Sequence, residues 1–231
     1  MWKLFLILIF APLIGHTQQT QDTLWGGKKF KLGLAVHLEP MYWRQSNFKG
    51  VLSQNGLPSP REFTNAVCIG DIFQWNKFRV NALVITWFYR PVKTNNENLE
   101  QRFLGGELNA EYFIARKKKF SVSPLIGGGY VDGTTRVRHS STVTTLSEAL
   151  DNRGTTELFN QQGYVNAAIN FGFSYLPRLK DHIFQAAIGY RIGFGSSKWN
   201  TSTKSLTTGT ATDELRQAYI AFKMNFLFPR R

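Results

Sequence analysis

Four histidines and a single cysteine are the side chains best suited to ligate a metal or assist a nucleophile. His16 lies in an apolar leader, which leaves His37, His139 and His182 for chemistry. His139 precedes Ser140, so a base and a hydroxyl are adjacent in sequence. Adjacent residues of an extended chain point to opposite faces, however, so this adjacency does not bring them into contact. His182 follows Asp181 in a short connecting segment and reads as an exposed turn residue. His37 shares a parity with Glu39 and reads as part of an inward ion network. Cys68 stands alone, which excludes an intrachain disulfide framework. It reads as a small buried apolar residue. No phosphate loop, zinc spacing or Gly-x-Ser-x-Gly elbow occurs. The expectation is therefore no catalytic residue, no metal ligand set and no cofactor.

Charges recur at alternate positions within otherwise apolar stretches. Glu39, Arg79, Glu107, Glu111, Arg191 and Lys223 each fall on the small or polar side of such a stretch, and their charges cancel. Charges enclosed in a narrow interior are costly unless paired and hydrogen-bonded. These six are expected to form a structural ion network, with Glu107, Glu111, Arg191 and Lys223 joined in one group that closes a pore.

The elements that would position them are strands. Residues 29–43 set Phe30, Leu32, Leu34, Val36 and Leu38 against Lys29, Lys31, Gly33, Ala35, His37 and Glu39. The same two-residue period marks residues 103–115, 165–175, 184–194 and 217–228. Residues 63–75, 77–89 and 120–131 are less regular strands. Asp71 breaks the parity of residues 63–75, which predicts a bulge near Gly70 or a position close to lipid headgroups. Leu83, Ile85 and Trp87 share a parity with Arg79 and Asn81, so part of the interior is expected to be apolar.

Connections alternate between short (75–77, 116–119, 176–182) and long (44–62, 90–102, 132–163, 196–214). Short turns on one side and long loops on the other mark a transmembrane β-barrel. A soluble barrel has an apolar interior, whereas a membrane barrel turns its apolar faces outward. Here the apolar faces are large and aromatic, while the opposite faces carry Gly, Ala, Ser, Asn and charge. That suits a narrow eight-stranded interior. Tyr42, Trp43, Trp75, Trp87, Tyr89, Tyr112, Tyr130, Tyr175 and Trp199 are expected in the interfacial girdles. The fold class is thus all-β: an eight-stranded antiparallel up-and-down transmembrane barrel.

Residues 1–17 hold Lys3, an apolar run and a polar tail, too short to span a bilayer. They read as a cleaved signal peptide, with the barrel domain over 18–231. Mean hydropathy is slightly negative, as expected when only alternate residues meet lipid.

The stretches GGELNAEYFIARKKKFSVSPLIGGGY, NAAINFGFSYL, FQAAIGYRIGFG and AYIAFKMNFLF resemble the small outer-membrane β-barrels of the OmpA, OmpX and OmpW-like group. The aromatic end of the last strand is similar to their assembly signal, although Pro229, Arg230 and Arg231 follow Phe228. The resemblance implies residence in the cell outer membrane and leaves the role open.

The net charge of +13 gathers mainly at one predicted rim. Lys77, Arg116, Lys117, Lys118, Lys119, Arg178 and Lys180 occupy the short turns. Such a rim should attract anionic phospholipid heads or an acidic periplasmic protein. Nucleic acid is excluded by the compartment. The long segment 132–163 is the candidate for an extracellular protein partner, with Thr145–Glu148 a capping box for one helical turn. The reading is a monomeric, non-enzymatic structural or interaction barrel surrounded by lipopolysaccharide and phospholipid. Its alternatives are a lipid A or phospholipid-modifying enzyme and a barrel that carries small apolar ligands.

Overall fold

The computed structural model describes residues 30–54, 56–89, 91–94, 97–116, 120–139, 155–173, 182–194, 199–201 and 213–228. The leader and the Thr145–Glu148 capping box lie outside them. Eight long strands follow one another: β1 (Phe30–Trp43), β2 (Phe63–Trp75), β3 (Phe78–Phe88), β4 (Glu97–Tyr112), β5 (Phe120–His139), β6 (Thr155–Phe173), β7 (His182–Phe194) and β8 (Arg216–Phe228). Each pairs antiparallel with the next, and β8 returns to pair with β1, so the sheet closes. Closure leaves no edge strand exposed along the ring. Three two-residue strands, Val92–Lys93, Ala115–Arg116 and Asn200–Thr201, extend it locally.

Alternation decides what each face meets. Ile126 and Ile188 on the outside are 69 % and 66 % exposed, in rows with Leu108, Val165, Ile169, Phe222 and Phe228. Arg79, Arg191, Glu111 and Asn170 are buried on the inside. A water-soluble barrel would invert this arrangement. The apolar belt faces hydrocarbon.

The parity of β2 and β3 needs no bulge. Register runs unbroken through Leu34↔Asp71 and Asp71↔Ala82, so Asp71 sits on the outer face within the belt. Part of the interior is apolar, with Leu83, Ile85 and Trp87 all buried. A tight turn of Asn76 and Lys77 joins the Trp75↔Phe78 pair, with Asn76 at φ 52°. Asn is among the few non-glycine residues that accept this left-handed conformation.

Several boundaries differ from the sequence expectation. β4 starts at Glu97 instead of Phe103 and stops at Tyr112. β5 runs on to His139 and β6 begins at Thr155, paired through Asp132↔Gln161 to Arg138↔Thr155. The connection expected over 132–163 is therefore largely sheet. Beyond the belt the outer face meets water, so polar residues such as Thr134 and Arg136 stand where apolar ones would signal a strand. The Arg44–Glu62 connection contains a helix, α1 (Ser46–Gln54), that buries Phe48 and Leu52. The girdle assignment also needs correction. Tyr112 and Tyr130 face outward, but Trp43, Trp87, Tyr89 and Trp199 are buried at the mouth of the barrel. Trp43 follows the inward parity of Glu39 and Met41, and Trp87 that of Leu83 and Ile85. Tyr175 lies outside the described residues.

Candidate functional site

The lumen is built in layers from the short-turn end upward. The first layer centres on Arg79 and Glu111, which are register partners on β3 and β4. Their Nη1 and Oε2 atoms lie 3.2 Å apart. Arg79 also donates to Gln74 Oε1 at 2.9 Å and Gln185 Oε1 at 3.1 Å, with its guanidinium 4.8 Å over the Phe113 ring. Glu111 accepts from Ser123 Oγ and from Gln185 Nε2, the latter at 2.7 Å. Asn225 donates to the same Gln185 oxygen at 2.6 Å. Every charge here meets an opposite charge and neutral partners, the condition under which buried ions are tolerated.

Four residues back along β4, about 13 Å at the usual strand rise, Glu107 belongs to a second layer. Arg191 bridges two carboxylates, its Nε 2.8 Å from Glu107 Oε2 and its Nη2 2.6 Å from Glu39 Oε2. Glu107 also accepts from Tyr164 Oη and Asn166 Nδ2, each at 2.9 Å, and from Asn109 Nδ2. Tyr219 donates to Asn166 Oδ1 at 2.9 Å while its ring lies 4.3 Å beneath the Arg191 guanidinium. The two tyrosines need glycines beneath them. A Cβ on Gly189 would come within 2.3 Å of the Tyr219 ring, and one on Gly129 within 2.6 Å of Tyr164.

Of the four residues expected to form one group, Glu107 and Arg191 meet directly. Glu111 lies in the Arg79 layer. Lys223 donates to Asn170 Oδ1 at 2.9 Å. Glu39 and Arg79, the other two of the six, complete the two layers. His37 sits beside Glu39, with Nδ1 3.7 Å from Oε1, and register places Cys68 directly opposite it on β2. One donor atom each from His37, Glu39 and Cys68 lie within 4.8 Å of one another, and all three side chains are buried.

Aromatic rings fill the mouth. Trp43 meets Trp87 and Phe103 edge-on at 6.0 and 5.2 Å between centroids. Phe48, from α1, stacks on Trp199 at 4.1 Å. The start of α1 is anchored by the segment that leads into β8, the neighbour of β1 in the ring, where the Asp213 carboxylate accepts the backbone N–H groups of Asn47 and Phe48 at 3.0 and 2.8 Å. This is an N-cap supplied from a distant segment. Burial pushes the Asp213 carboxyl up from its ordinary value, and the two N–H groups pull it back. Beneath the helix, Gln101 Nε2 donates to Gln45 Oε1 at 3.0 Å and Thr135 Oγ1 at 3.1 Å. Sequence reasoning missed α1 and its anchor because the contact spans most of the chain. The inward parity of Trp43 and Trp87 was the available signal for the aromatic cap.

At the opposite rim, Lys77 is exposed in the β2–β3 turn, and Arg116 lies in a short strand paired with Ser121. Lys117, Lys118, Lys119, Arg178 and Lys180 lie outside the described residues. So does Ser140. His139 is in β5, opposite Glu97.

No protein-family model matches the chain, and no curated protein matches it in sequence. Solved structures do match. Neisserial surface protein A (NspA) superposes with a TM-score of 0.52 at 10 % identity, over 85 % of this chain and 97 % of that one. The chain has the fold of the small eight-stranded outer-membrane β-barrels. That fold and the apolar belt put this barrel in the outer membrane. Two further similar structures are a major outer membrane protein from Thermus thermophilus (TM-score 0.49, 7 % identity, 85 % of this chain and 99 % of that one) and Ail, the attachment invasion locus protein of Yersinia pestis (0.49, 7 %, 87 % and 99 %).

Proposed function

We propose that this outer-membrane barrel is a closed, monomeric, non-enzymatic protein whose partners meet it at its two ends. One observation carries the reading. Side chains fill the lumen from the short-turn end to the mouth, through the Arg79–Glu111 layer, the Glu39–Arg191–Glu107 layer and the aromatic cap under α1. Leu83, Ile85 and Trp87 fall within this filling, which speaks against an apolar-ligand passage. Among the described residues, register and ion pairing give His37 the neighbours Glu39, Cys68 and Lys223, none of them a serine, which speaks against a lipid-modifying His–Ser–carboxylate centre there. The outward end would engage a protein partner through the connection between β5 and β6. The basic rim would engage phospholipid heads or an acidic periplasmic protein.

Reconstitution into planar bilayers tests closure. The purified barrel should show no large steady conductance, and a sustained open level would refute the sealed lumen. Assays of lipid A and phospholipid modification in isolated outer membranes test the enzyme reading. Loss of such an activity in His139→Ala would replace the interaction reading with it.

A further inference from the structure

We propose that His37, Glu39 and Cys68 form a binding site for a divalent transition-metal ion of the zinc class in the middle of the lumen. The β1–β2 register sets His37 directly opposite Cys68, and Glu39 follows two residues later on the same inward face. The three donor atoms lie within 4.8 Å of one another. Donors at about 2.0–2.3 Å around a tetrahedral zinc are roughly 3.3–3.6 Å apart, so rotation of the side chains by about an ångström closes the site. Relative exposures are 1 %, 1 % and 0 % for His37, Glu39 and Cys68.

The imidazole supplies the independent pointer. Both ring nitrogens of His37 are buried without a hydrogen-bond partner. The 3.7 Å separation from Glu39 is too long for a hydrogen bond. A buried polar group without a partner is unfavourable, and a metal ion at Nδ1 removes that deficit for one of the two nitrogens. Glu39 is prepared for the same role. Arg191 holds its Oε2 at 2.6 Å and leaves Oε1 turned toward His37, the kind of support that orients metal-ligating carboxylates. One sulfur, one nitrogen and one oxygen donor favour zinc-like ions over calcium or magnesium, which take oxygen. Binding converts the Cys68 thiol to thiolate and releases one proton, so the lumen gains one net positive charge. Water completes the fourth position. The bound ion would staple β1 to β2 at the level of the Glu39–Arg191–Glu107 layer.

The test uses untagged barrel folded in detergent and titrated with Co2+. One equivalent should produce a thiolate-to-cobalt charge-transfer absorption, displaced by Zn2+. Cys68→Ser should abolish that absorption. Zn2+ affinity should fall about 100-fold or more in Cys68→Ser and in His37→Ala, because losing even the support of a ligand costs about 10–100-fold. Heat-dependent electrophoretic mobility verifies that each variant is folded. X-ray absorption on the zinc-loaded unmutated barrel needs no variant and should show one sulfur at about 2.3 Å. A zinc shell of nitrogen and oxygen alone, absence of the thiolate band, or unchanged affinity in the folded variants would overturn the site.

Discussion

Removing Arg191 should be the most damaging single change in the lumen. Its guanidinium is fully buried and is held between two carboxylates, at 2.6 Å from Glu39 and 2.8 Å from Glu107. Arg191→Met fills a similar volume but leaves both carboxylates enclosed. Glu107 keeps Tyr164, Asn109 and Asn166 as donors, whereas Glu39 keeps the weaker company of His37 at 3.7 Å and the Cys68 thiol. With charge centres about 4 Å apart, each ion pair is worth roughly 4 kcal/mol at an effective dielectric near 20. The desolvation of three ions offsets much of that gain in the native protein. What remains on breaking the bridge is the cost of two uncompensated charges, about 3–5 kcal/mol and toward the upper end of that range. Glu39→Gln alone leaves Arg191 and Glu107 balanced one to one and should cost less, about 1–3 kcal/mol. The double variant should fall short of the summed losses by at least about 1 kcal/mol, because the two residues touch. Denaturant unfolding in lipid vesicles, followed by tryptophan fluorescence and by heat-dependent mobility, measures all three. A loss below about 1 kcal/mol for Arg191→Met, or strict additivity with Glu39→Gln, would refute the bridging role.

The two ionic layers are separate, so Arg79→Met and Arg191→Met should add to within about 0.5 kcal/mol in the same unfolding assay. Asp213→Ala removes the anchor of α1 and should cost about 1–2 kcal/mol locally, seen as faster hydrogen exchange over Ser46–Gln54 with the barrel strands unchanged. Replacing residues 140–154 by a two-residue turn should leave barrel stability within about 0.5 kcal/mol while abolishing binding of an extracellular partner in a pull-down. Asp71→Leu removes a carboxylate from the lipid-facing belt and should stabilise the barrel in vesicles by up to about 2 kcal/mol. A destabilised Asp71→Leu barrel would mean that the carboxylate has a partner on that face.

The barrel was legible wherever one face of a strand met hydrocarbon. In β7 and β8 the outward row of Phe184, Ile188, Tyr190, Phe222 and Phe228 repeats every second residue, and those strands fall where the period places them. The signal fades where the sheet rises above the belt. Glu97–Arg102 and Asp132–His139 still pair as strands, but water meets their outer face and selects no apolar residue there. Arg136 and Glu157 pair across that face at 2.7 Å, a contact that looks like loop composition in one dimension. The polar signature of a loop and that of an emergent strand are the same in sequence.

The lumen illustrates a different limit. Parity identifies which charges point inward, because that depends only on position within one strand. Partnership depends on register between strands, which the alternation does not encode. Glu107 and Glu111 have the same parity, residue type and strand, yet one meets Arg191 on β7 and the other Arg79 on β3. A single-residue slip would reverse every face of a strand, but a two-residue slip of β4 on β3 would preserve the faces and, in one direction, set Arg79 opposite Asn109 in place of Glu111. His37 and Cys68 are the sharpest case. Neither stands in a ligand spacing with the other, and they face each other only because Val36↔Ile69 and Leu38↔Val67 fix the register of β1 on β2. The outward rows of this barrel therefore determine that it spans a membrane, while inward chemistry rests on the hydrogen-bonded register beneath them.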